Sequence, residues 1–512
     1  MYVAAGMKRV FGLETEYGIT LDGTDAVDVV AESIELVRGY TEQGAHMKWD
    51  YELEDPHRDA RGFRAAELLQ DTDESAYFEI DRKRPLSFEE IKSDLVLSNG
   101  ARFYNDHAHP EYSTPECTTL RSLVAQDKAG ERILLECARR RNSKLPEGQE
   151  VRLYKNNTDF SGHSYGCHDN YLMRRDVPWE RLVSGVLPFL VTRQIFAGAG
   201  KMGIEAESAA GQPGVYQISQ RADFFAVLVS IDTMNRRPLV NTRDEPHADP
   251  GKYRRFHVII GDANMSEWAT AVKVGTTALV LDLIERELAP QIELGQPIAA
   301  LKSISRDQTY DWIIELRDGR KISALDVQRL YLSAAQELAR GSTDEEVTWL
   351  LREWETVLND LERDLTLCRD RVDWVTKKEM LNALQEEEQL AWSDPWLQAI
   401  DLEYHNLRPD AGLYHELLRQ GSMRRIVSEE EIKQAIFNPP EDTRAYFRGR
   451  AVARFNAQIK SIQWDEVVFA GAHGKQTVAL PEPAENARLA KLHAAVRDAT
   501  SYPEFLRIVT AL

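Results

Sequence analysis

The run NGARFYNDHAHPEYSTPEC, residues 99–117, concentrates more side chains capable of chemistry than any other segment. If it begins as a strand after an Asn-Gly turn, the alternation of side chains places Arg102, Tyr104 and Asp106 on one face. A cation, a phenol and a carboxylate then form one row. The prolines around Glu111 predict a turn-rich loop next. Loops on a rigid scaffold often carry active sites, but an exposed polar strand would explain this run equally well.

Two carboxylates form a second candidate site near the beginning of the chain. Residues 8–20 alternate apolar and polar side chains, which predicts a strand with Glu14 and Glu16 on the same face. Carboxylates about 7 Å apart on one strand face repel each other. They suit Mg²⁺, a hard cation that proteins hold with a few carboxylates and substrate phosphates. Solvent exposure of this face is the alternative.

Four further residues are candidates because of their local setting. His168 lies in a polar stretch and is able to complete a metal or phosphate site, although such a histidine is more often structural. Arg221 and Arg243 each end a short apolar strand, where a guanidinium suits phosphate oxygens. A buried salt bridge is an equally good interpretation of each. Trp464 either stacks on a base or packs a domain junction, and the residues alone favour packing.

The composition limits the class of protein. A chain of 512 residues is long enough for a large core and for more than one domain. No apolar run approaches the ~20 residues needed to span a bilayer, and the first ten residues do not form a signal peptide, so we expect a soluble, cytoplasmic protein. The four scattered cysteines fit reduced thiols. The net charge of -20 disfavours nonspecific binding to nucleic acid.

Periodicity and turn signals predict an α+β protein with more than one part. Helices dominate after residue 324, where Ser342 begins a capping box. The sequence Asn-Pro-Pro at 438–440 indicates a boundary. We therefore expect a large catalytic domain at residues 1–429 and a small C-terminal α/β domain at residues 430–512.

Eight segments together resemble the Pup ligase–Dop family, and within it the enzymes that act as deamidases and depupylases of the prokaryotic ubiquitin-like protein Pup. The segments are GLETEYG (12–18), WDYELEDPHRDARGF (49–63), NGARFYNDHAHPEYSTPEC (99–117), YKNN (154–157), HDNYLM (168–173), NTRDEPHAD (241–249), YRRFHVIIGDANMSE (253–267) and NPPEDTRAYFRG (438–449). Motifs this long, in this order, are specific. One departure is Asp169, where the family has glutamate.

The resemblance implies a fold like that of glutamine synthetase and the carboxylate–amine ligases, with a curved antiparallel sheet that cradles ATP and Mg²⁺. It implies an ATP- and Mg-dependent hydrolase that deamidates the C-terminal glutamine of Pup and cleaves the Pup–lysine isopeptide bond of conjugates destined for the proteasome. ATP, or ADP with phosphate, would be retained as a cofactor. The expected partners are Pup and pupylated proteins, with no nucleic acid and no membrane.

The resemblance also implies roles for single residues. Asp106 matches the catalytic aspartate, which either attacks the amide carbonyl or activates water. The expected magnesium ligands are Glu14, Tyr104 and Glu111, with Glu16 and His168 as further members of the set. The residues expected to bind the nucleotide are Arg102, Thr114, Arg221, Arg243 and Trp464.

A Pup ligase and a non-catalytic Pup-binding module are the two alternatives to a hydrolase. The sister Pup ligase lacks the insertion that contains residues 49–63, which disfavours a ligase, and a non-catalytic Pup-binding module is disfavoured because Asp106 is present.

Residues 44–98 are highly charged, with little apolar content, and a loop of this length is a functional lid or a disordered insertion. We expect residues 49–63 to dock near the nucleotide and residues 71–84 to stay mobile.

Overall fold

The computed structural model describes residues 9–24, 27–40, 48–68, 85–205, 212–234, 236–471, 474–481 and 486–512. Its strands are β1 (Phe11–Glu16), β2 (Gly18–Asp22), β3 (Leu95–Val96), β4 (Arg102–Asp106), β5 (His109–Ser113), β6 (Glu150–Tyr154), β7 (Cys167–Arg174), β8 (Lys201–Ile204), β9 (Gln212–Gln217), β10 (Phe225–Ser230), β11 (Arg237–Asn241), β12 (Tyr253–Val258), β13 (Ile313–Glu315), β14 (Lys321–Ser323), β15 (Ile459–Ile462), β16 (Glu466–Gly471) and β17 (Gly474–Ala479).

The α-helices follow the same order along the chain. They are α1 (Val29–Arg38), α2 (Phe88–Lys92), α3 (Leu120–Asn142), α4 (Trp179–Thr192), α5 (Gln194–Ala197), α6 (Glu267–Glu285), α7 (Pro297–Arg306), α8 (Ala324–Leu338), α9 (Glu345–Arg363), α10 (Asp373–Glu387), α11 (Pro395–Glu403), α12 (Leu413–Arg419), α13 (Glu429–Phe437), α14 (Ala445–Phe455), α15 (Asn486–Asp498) and α16 (Tyr502–Thr510). No helix among the described residues is long and apolar enough to cross a membrane.

A six-stranded antiparallel sheet, in the order β12-β7-β1-β5-β4-β3, carries the candidate site residues. In β1 burial alternates, with Phe11 and Leu13 in the core and Glu14 and Glu16 on the other face. The apolar face packs against α3 and α6. Because α6 is buried on almost every side, it acts as the central helix of the core. The predicted α+β class with an antiparallel sheet is confirmed.

The C-terminal residues build a core of their own. A separate hydrophobic cluster is formed mainly by α14, α15, α16 and the three-stranded sheet β15-β16-β17. Ile432 and Ala435 of α13 instead belong to the large cluster of the first part of the chain. These contacts favour a boundary after α13 over one at residue 430, and the division into two domains stays a prediction.

The first part of the charged insertion is docked on the rest of the protein. Trp49 forms a parallel bridge with Ile462 of β15, and the amide of Ala60 donates to the carbonyl of Thr242 at 2.8 Å. Residues 49–63 therefore dock on the protein as predicted, and their proximity to a nucleotide stays a prediction. Residues 71–84, which we predict to be mobile, lie outside the described residues. The interpretation of residues 44–98 as a lid stays a prediction.

The predicted capping box at Ser342 is wrong. The helix α9 begins at Glu345, and the side chain of Asp344 accepts hydrogen bonds from the amides of Glu346 and Val347. Serine and aspartate are both favoured N-cap residues. Asp344 lies directly before the first helical residue, so its carboxylate and not the hydroxyl of Ser342 reaches these amides.

Candidate active site

The register of the central sheet gathers the predicted side chains on one face. β1 pairs with β5 so that Glu16 lies opposite Glu111, and with β7 so that Glu14 lies opposite His168. Residues directly opposite each other in antiparallel strands point to the same face. β4 extends the row, since Tyr104 also lies opposite Glu111. Four neighbouring strands therefore contribute to one site.

A cavity of about 490 Å³ opens on this face of the sheet. Its lining includes all but one of the side chains proposed from the sequence, namely Glu14, Glu16, Arg102, Tyr104, Asp106, Glu111, His168, Arg221, Arg243 and Trp464. The exception is Thr114, which lines an adjoining cavity of about 90 Å³. Because the smaller cavity shares Glu14 and Trp464 with the larger one, the predicted residues meet in one place. Their individual roles stay predictions.

Among the residues that the structure describes, two groups of possible metal ligands lie in the larger cavity, and within each group the ligand atoms lie within 4.8 Å of one another. The first group is Glu14, His168 and His257, and the second is Glu16, Asp106 and Glu111. The predicted ligands are thus divided between two groups. The predicted ligand Tyr104 adjoins the second group, since its hydroxyl donates to Glu111 Oε1 at 2.9 Å.

The second group has the electrostatics of a cation site. Burial and the nearby charge of Asp106 raise the pKa of Glu16 to about 7. Burial and the charges of Asp106 and Glu14 raise the pKa of Glu111 well above its usual value. Carboxylates that repel each other in this way are stabilised by a bound divalent cation. The residues present therefore fit Mg²⁺.

The first group combines a carboxylate with two imidazoles. Burial alone would raise the pKa of Glu14, but His257, His168 and Arg255 outweigh it and lower that pKa well below its usual value. Burial lowers the pKa of both histidines, which favours the neutral, metal-ligating form. A Cβ at Gly166 would lie 2.4 Å from His168 Nε2, so glycine leaves the room that this imidazole needs.

Asp106, the predicted catalytic residue, stands at the end of β4 with a cation beside it. The ammonium of Lys92 donates to Asp106 Oδ1 at 2.6 Å. Burial alone would raise the pKa of Asp106, but Lys92 and His107 outweigh it and hold that pKa below its usual value. His107 follows at the hairpin turn with a φ of 54°, a strained conformation for a residue other than glycine. Asp106 is therefore an ionised carboxylate at the cavity wall.

The arginines at the cavity have the properties of an anion site. Arg221 is buried, and Asp262 fixes its backbone by accepting from the amides of residues 220 and 221 at 2.9 and 3.3 Å. Burial and the charge of Arg237 lower the pKa of Arg221 to about 10. Arg243 Nε is buried without a hydrogen-bond partner. A buried guanidinium, or one with an N–H group that has no hydrogen-bond partner, suits phosphate oxygens.

Arg102 is hydrogen-bonded to a carboxylate of the protein itself. Its Nε donates to Asp94 at 2.7 Å, and its guanidinium lies 4.0 Å from the ring centres of both Trp49 and Tyr104. Trp49 in turn meets Trp464 edge-on at 5.3 Å. Arg102 thus connects the docked insertion to the cavity. A nucleotide that contacts Arg102 would bind a guanidinium that is also hydrogen-bonded to Asp94.

Sequence reasoning missed several residues of the site. His257 and Arg255 share a face of β12, and Arg255 Nη1 donates to Glu14 at 3.1 Å. Their two-residue spacing, which is typical of one face of a strand, was the available signal. Lys92 gave no signal, since it lies in a segment read as a charged insertion.

Asp169, which stands where the family has glutamate, does not line either cavity. Asp169 is fully buried and accepts from Arg193 Nη1 at 2.8 Å and from the hydroxyl of Tyr171 at 2.7 Å. It alternates along β7 with His168 and Asn170 and therefore points to the core. Its role is to neutralise a buried arginine.

Known proteins are similar to this chain in sequence and in fold. The sequence model of the family described as Pup-ligase protein matches residues 9–468. The chain belongs to this family. Its relatives include the depupylase of Acidothermus cellulolyticus, 46% identical over 94% of this chain and 95% of the relative. They also include the Pup deamidase/depupylase of Mycolicibacterium smegmatis, 42% identical over 90% of this chain and 92% of the relative.

Two solved structures of the Pup ligase PafA share the fold. The complex of PafA with Pup is 31% identical and superposes with a TM-score of 0.77, covering 98% of this chain and 97% of PafA. The complex of PafA with ADP is 34% identical, with a TM-score of 0.71 and coverage of 85% and 96%. The expected relation to the Pup ligase fold is therefore confirmed.

Proposed function

We propose that this chain is an ATP- and Mg-dependent amidohydrolase that deamidates the C-terminal glutamine of Pup and cleaves the isopeptide bond of Pup–lysine conjugates. Its partners would be Pup and pupylated proteins in the cytoplasm, in the pathway that supplies the proteasome. The similarity to a depupylase and to a Pup deamidase/depupylase over nine-tenths or more of the chain supports this activity.

The observation that carries the proposal is the ionised Asp106 beside the carboxylates of Glu16 and Glu111 in one cavity. Hydrolysis of an unactivated amide needs a nucleophile or an activated water, and stabilisation of the oxyanion. Asp106 is suited to attack the carboxamide carbonyl or to take a proton from water. Mg²⁺ held by the two glutamates would supply a Lewis acid that polarises the carbonyl oxygen.

We propose that Arg221 and Arg243 bind the phosphates of ATP, or of ADP with inorganic phosphate, and that Arg102, Thr114 and Trp464 complete the nucleotide site. The fit rests on the position of Arg221 and Arg243 in the cavity lining, where burial lowers the pKa of Arg221 and a bound anion would stabilise its charge. The PafA structure that contains ADP supports a nucleotide in this fold.

A Pup ligase is the second candidate, because PafA shares the fold. Residues 49–63 argue against it, since the resemblance assigns this insertion to the hydrolase branch. Here the segment contacts both Trp464 and Arg102, so its presence affects the proposed nucleotide site directly.

Mass spectrometry tests the proposal. The protein is incubated with ATP and Mg²⁺ and with either Pup ending in glutamine or a Pup–protein conjugate. We expect deamidated Pup and released target protein. Transfer of Pup ending in glutamate to a protein, with no hydrolysis, would establish the ligase instead.

The variant Asp106→Asn identifies the reacting group. We expect it to lose both activities while its affinity for ADP, measured by calorimetry, stays within about twofold, because the change removes a reacting carboxylate and no phosphate contact. Asp318→Asn, in the exposed β13–β14 turn, is the control for the same chemical change outside the cavity. Normal turnover by the Asp106 variant would refute the assignment.

A further inference from the structure

Lys92 is a partly buried cation beside the proposed reacting carboxylate, and no role has been assigned to it. Its ammonium lies 2.6 Å from Asp106 Oδ1, and the two side chains are 17% and 25% exposed. It also lies 5.5 Å from the ring centre of Tyr104, on the same strand as Asp106. Lys92 therefore faces the row of side chains that the sheet presents to the cavity.

We propose that Lys92 is a positioning residue that holds one oxygen of Asp106 and so keeps this carboxylate from becoming a third ligand of the cation bound by Glu16 and Glu111. The other oxygen of Asp106 then stays available for the amide carbonyl or for water. This inference rests on the hydrolytic function proposed above.

The charges of the three carboxylates support this division of roles. Glu111 accepts from the hydroxyls of Tyr104 and Ser113 at 2.9 and 3.1 Å, and these donors are neutral. Glu16 has His109 at 3.8 Å as its nearest ion-pair partner among the described residues. Asp106 alone of the three is paired with an ammonium. Two carboxylates are thus left for a divalent cation, and the third is neutralised by the protein itself.

The helix that carries Lys92 is held in place by several contacts. The Nδ2 of Asn105, next to Asp106 in β4, donates to the carbonyl of Ile91 at 3.1 Å. Arg38 of α1 donates to the carbonyl of Glu90 and to the hydroxyl of Ser93 at 2.7 and 3.0 Å. An exposed lysine–aspartate pair contributes little and needs no such support. The ammonium of Lys92 is instead delivered to the site by a docked element.

The proposal predicts opposite changes in two measurements. Without the ammonium, all three carboxyl groups, whose ligand atoms lie within 4.8 Å of one another, are available to a divalent cation, so the affinity for the cation rises. The turnover number falls, because Asp106 is drawn into the coordination of the cation. A purely structural role for Lys92 would instead lower cation affinity and turnover together.

The test uses the full-length variants Lys92→Met and Lys92→Arg, with titration of Mn²⁺ by calorimetry in the presence of ADP. We expect Lys92→Met to bind Mn²⁺ more tightly by on the order of tenfold, and Lys92→Arg to bind it like the wild type. Lys252→Met is the control, since Lys252 forms an exposed pair with Asp249. Turnover of Pup ending in glutamine by Lys92→Met should fall at least tenfold.

The double variant Lys92→Met/Asp106→Asn identifies the source of the added affinity. The gain should disappear, because the amide no longer supplies an anionic ligand. Unchanged or weaker Mn²⁺ binding by a folded Lys92→Met variant would overturn the proposal, and so would normal turnover. The titration contains no Pup, so it stays decisive for Lys92 even if the wild type proves to be a ligase.

Discussion

Glu116 offers a sharp test of how the C-terminal part of the chain is joined to the site. Its carboxylate accepts from Arg444 Nε at 2.7 Å and from Arg448 Nη1 at 3.1 Å. Arg448 also donates to the carbonyl of Trp464 at 2.9 Å, and its guanidinium lies 4.7 Å from the centre of that indole. Glu116 therefore fixes the arginine against which Trp464 packs.

The expected loss of stability on changing Glu116 follows from the pKa of its carboxyl group. Burial alone would raise the pKa of Glu116, but Arg448 and Arg444 outweigh it and lower that pKa from 4.5 to about 2. The charged form thus stabilises the folded protein by about 3 kcal/mol relative to the neutral form. We expect Glu116→Gln to lower the free energy of unfolding by about this amount, since it leaves two arginines without their buried partner.

The sign of the pH dependence is fixed by the direction of this change in pKa. Because the pKa is lower in the folded state, the stabilisation is complete above about pH 4.5 and is lost as the pH falls through about 2. The Glu116→Gln variant lacks the stabilisation by the charged carboxylate. The difference in unfolding free energy between wild type and variant should therefore shrink as the pH falls below 4.5.

Urea denaturation of both proteins at several pH values measures this difference. Glu362→Gln is the matched control, because Glu362 pairs with Arg329 by two hydrogen bonds at an exposed site. It should cost less than about 1 kcal/mol. Affinity for ADP should also fall in Glu116→Gln if Trp464 binds the nucleotide. Equal losses in the two variants, or a pH-independent difference, would refute the reasoning.

Two further predictions concern the cavity. Arg221→Ala should weaken ADP binding about 10- to 100-fold in calorimetry, because it removes a buried charge-assisted contact to phosphate, and unchanged affinity would mean that Arg221 is structural. Glu14→Ala and Glu111→Ala should each weaken Mg²⁺ binding in the presence of ADP, because each removes an anionic oxygen from a cation site. Wild-type affinity in both would exclude them as ligands.

The local pattern of the sequence determined much of this site. Alternation in β1 was enough to put Glu14 and Glu16 on one face, as the structure has them. The row of Arg102, Tyr104 and Asp106 followed in the same way from β4. Side-chain alternation is set by the backbone geometry of the strand itself, so it is readable without knowing any neighbour.

The partners of these residues were decided only by the tertiary structure. Glu14 faces His168 on β7, whereas Glu16 faces Glu111 on β5, so one predicted metal set became two groups. Nothing in β1 indicates which strand lies on either side of it. Strand pairing depends on loop closure and packing over the whole chain, which a local pattern does not contain.

Two contacts made by α2 and by the C-terminal part of the chain show the same limit. Glu116 meets Arg448 from 332 residues away in sequence, and this contact joins the C-terminal core to the site. Lys92 is only 14 residues from Asp106, yet their contact depends on how α2 docks on β4 and α1. The sequence determined which side chains are capable of chemistry. Their charge environment was decided by folding, because burial and the identity of the nearest charged group exist only once distant segments have packed together.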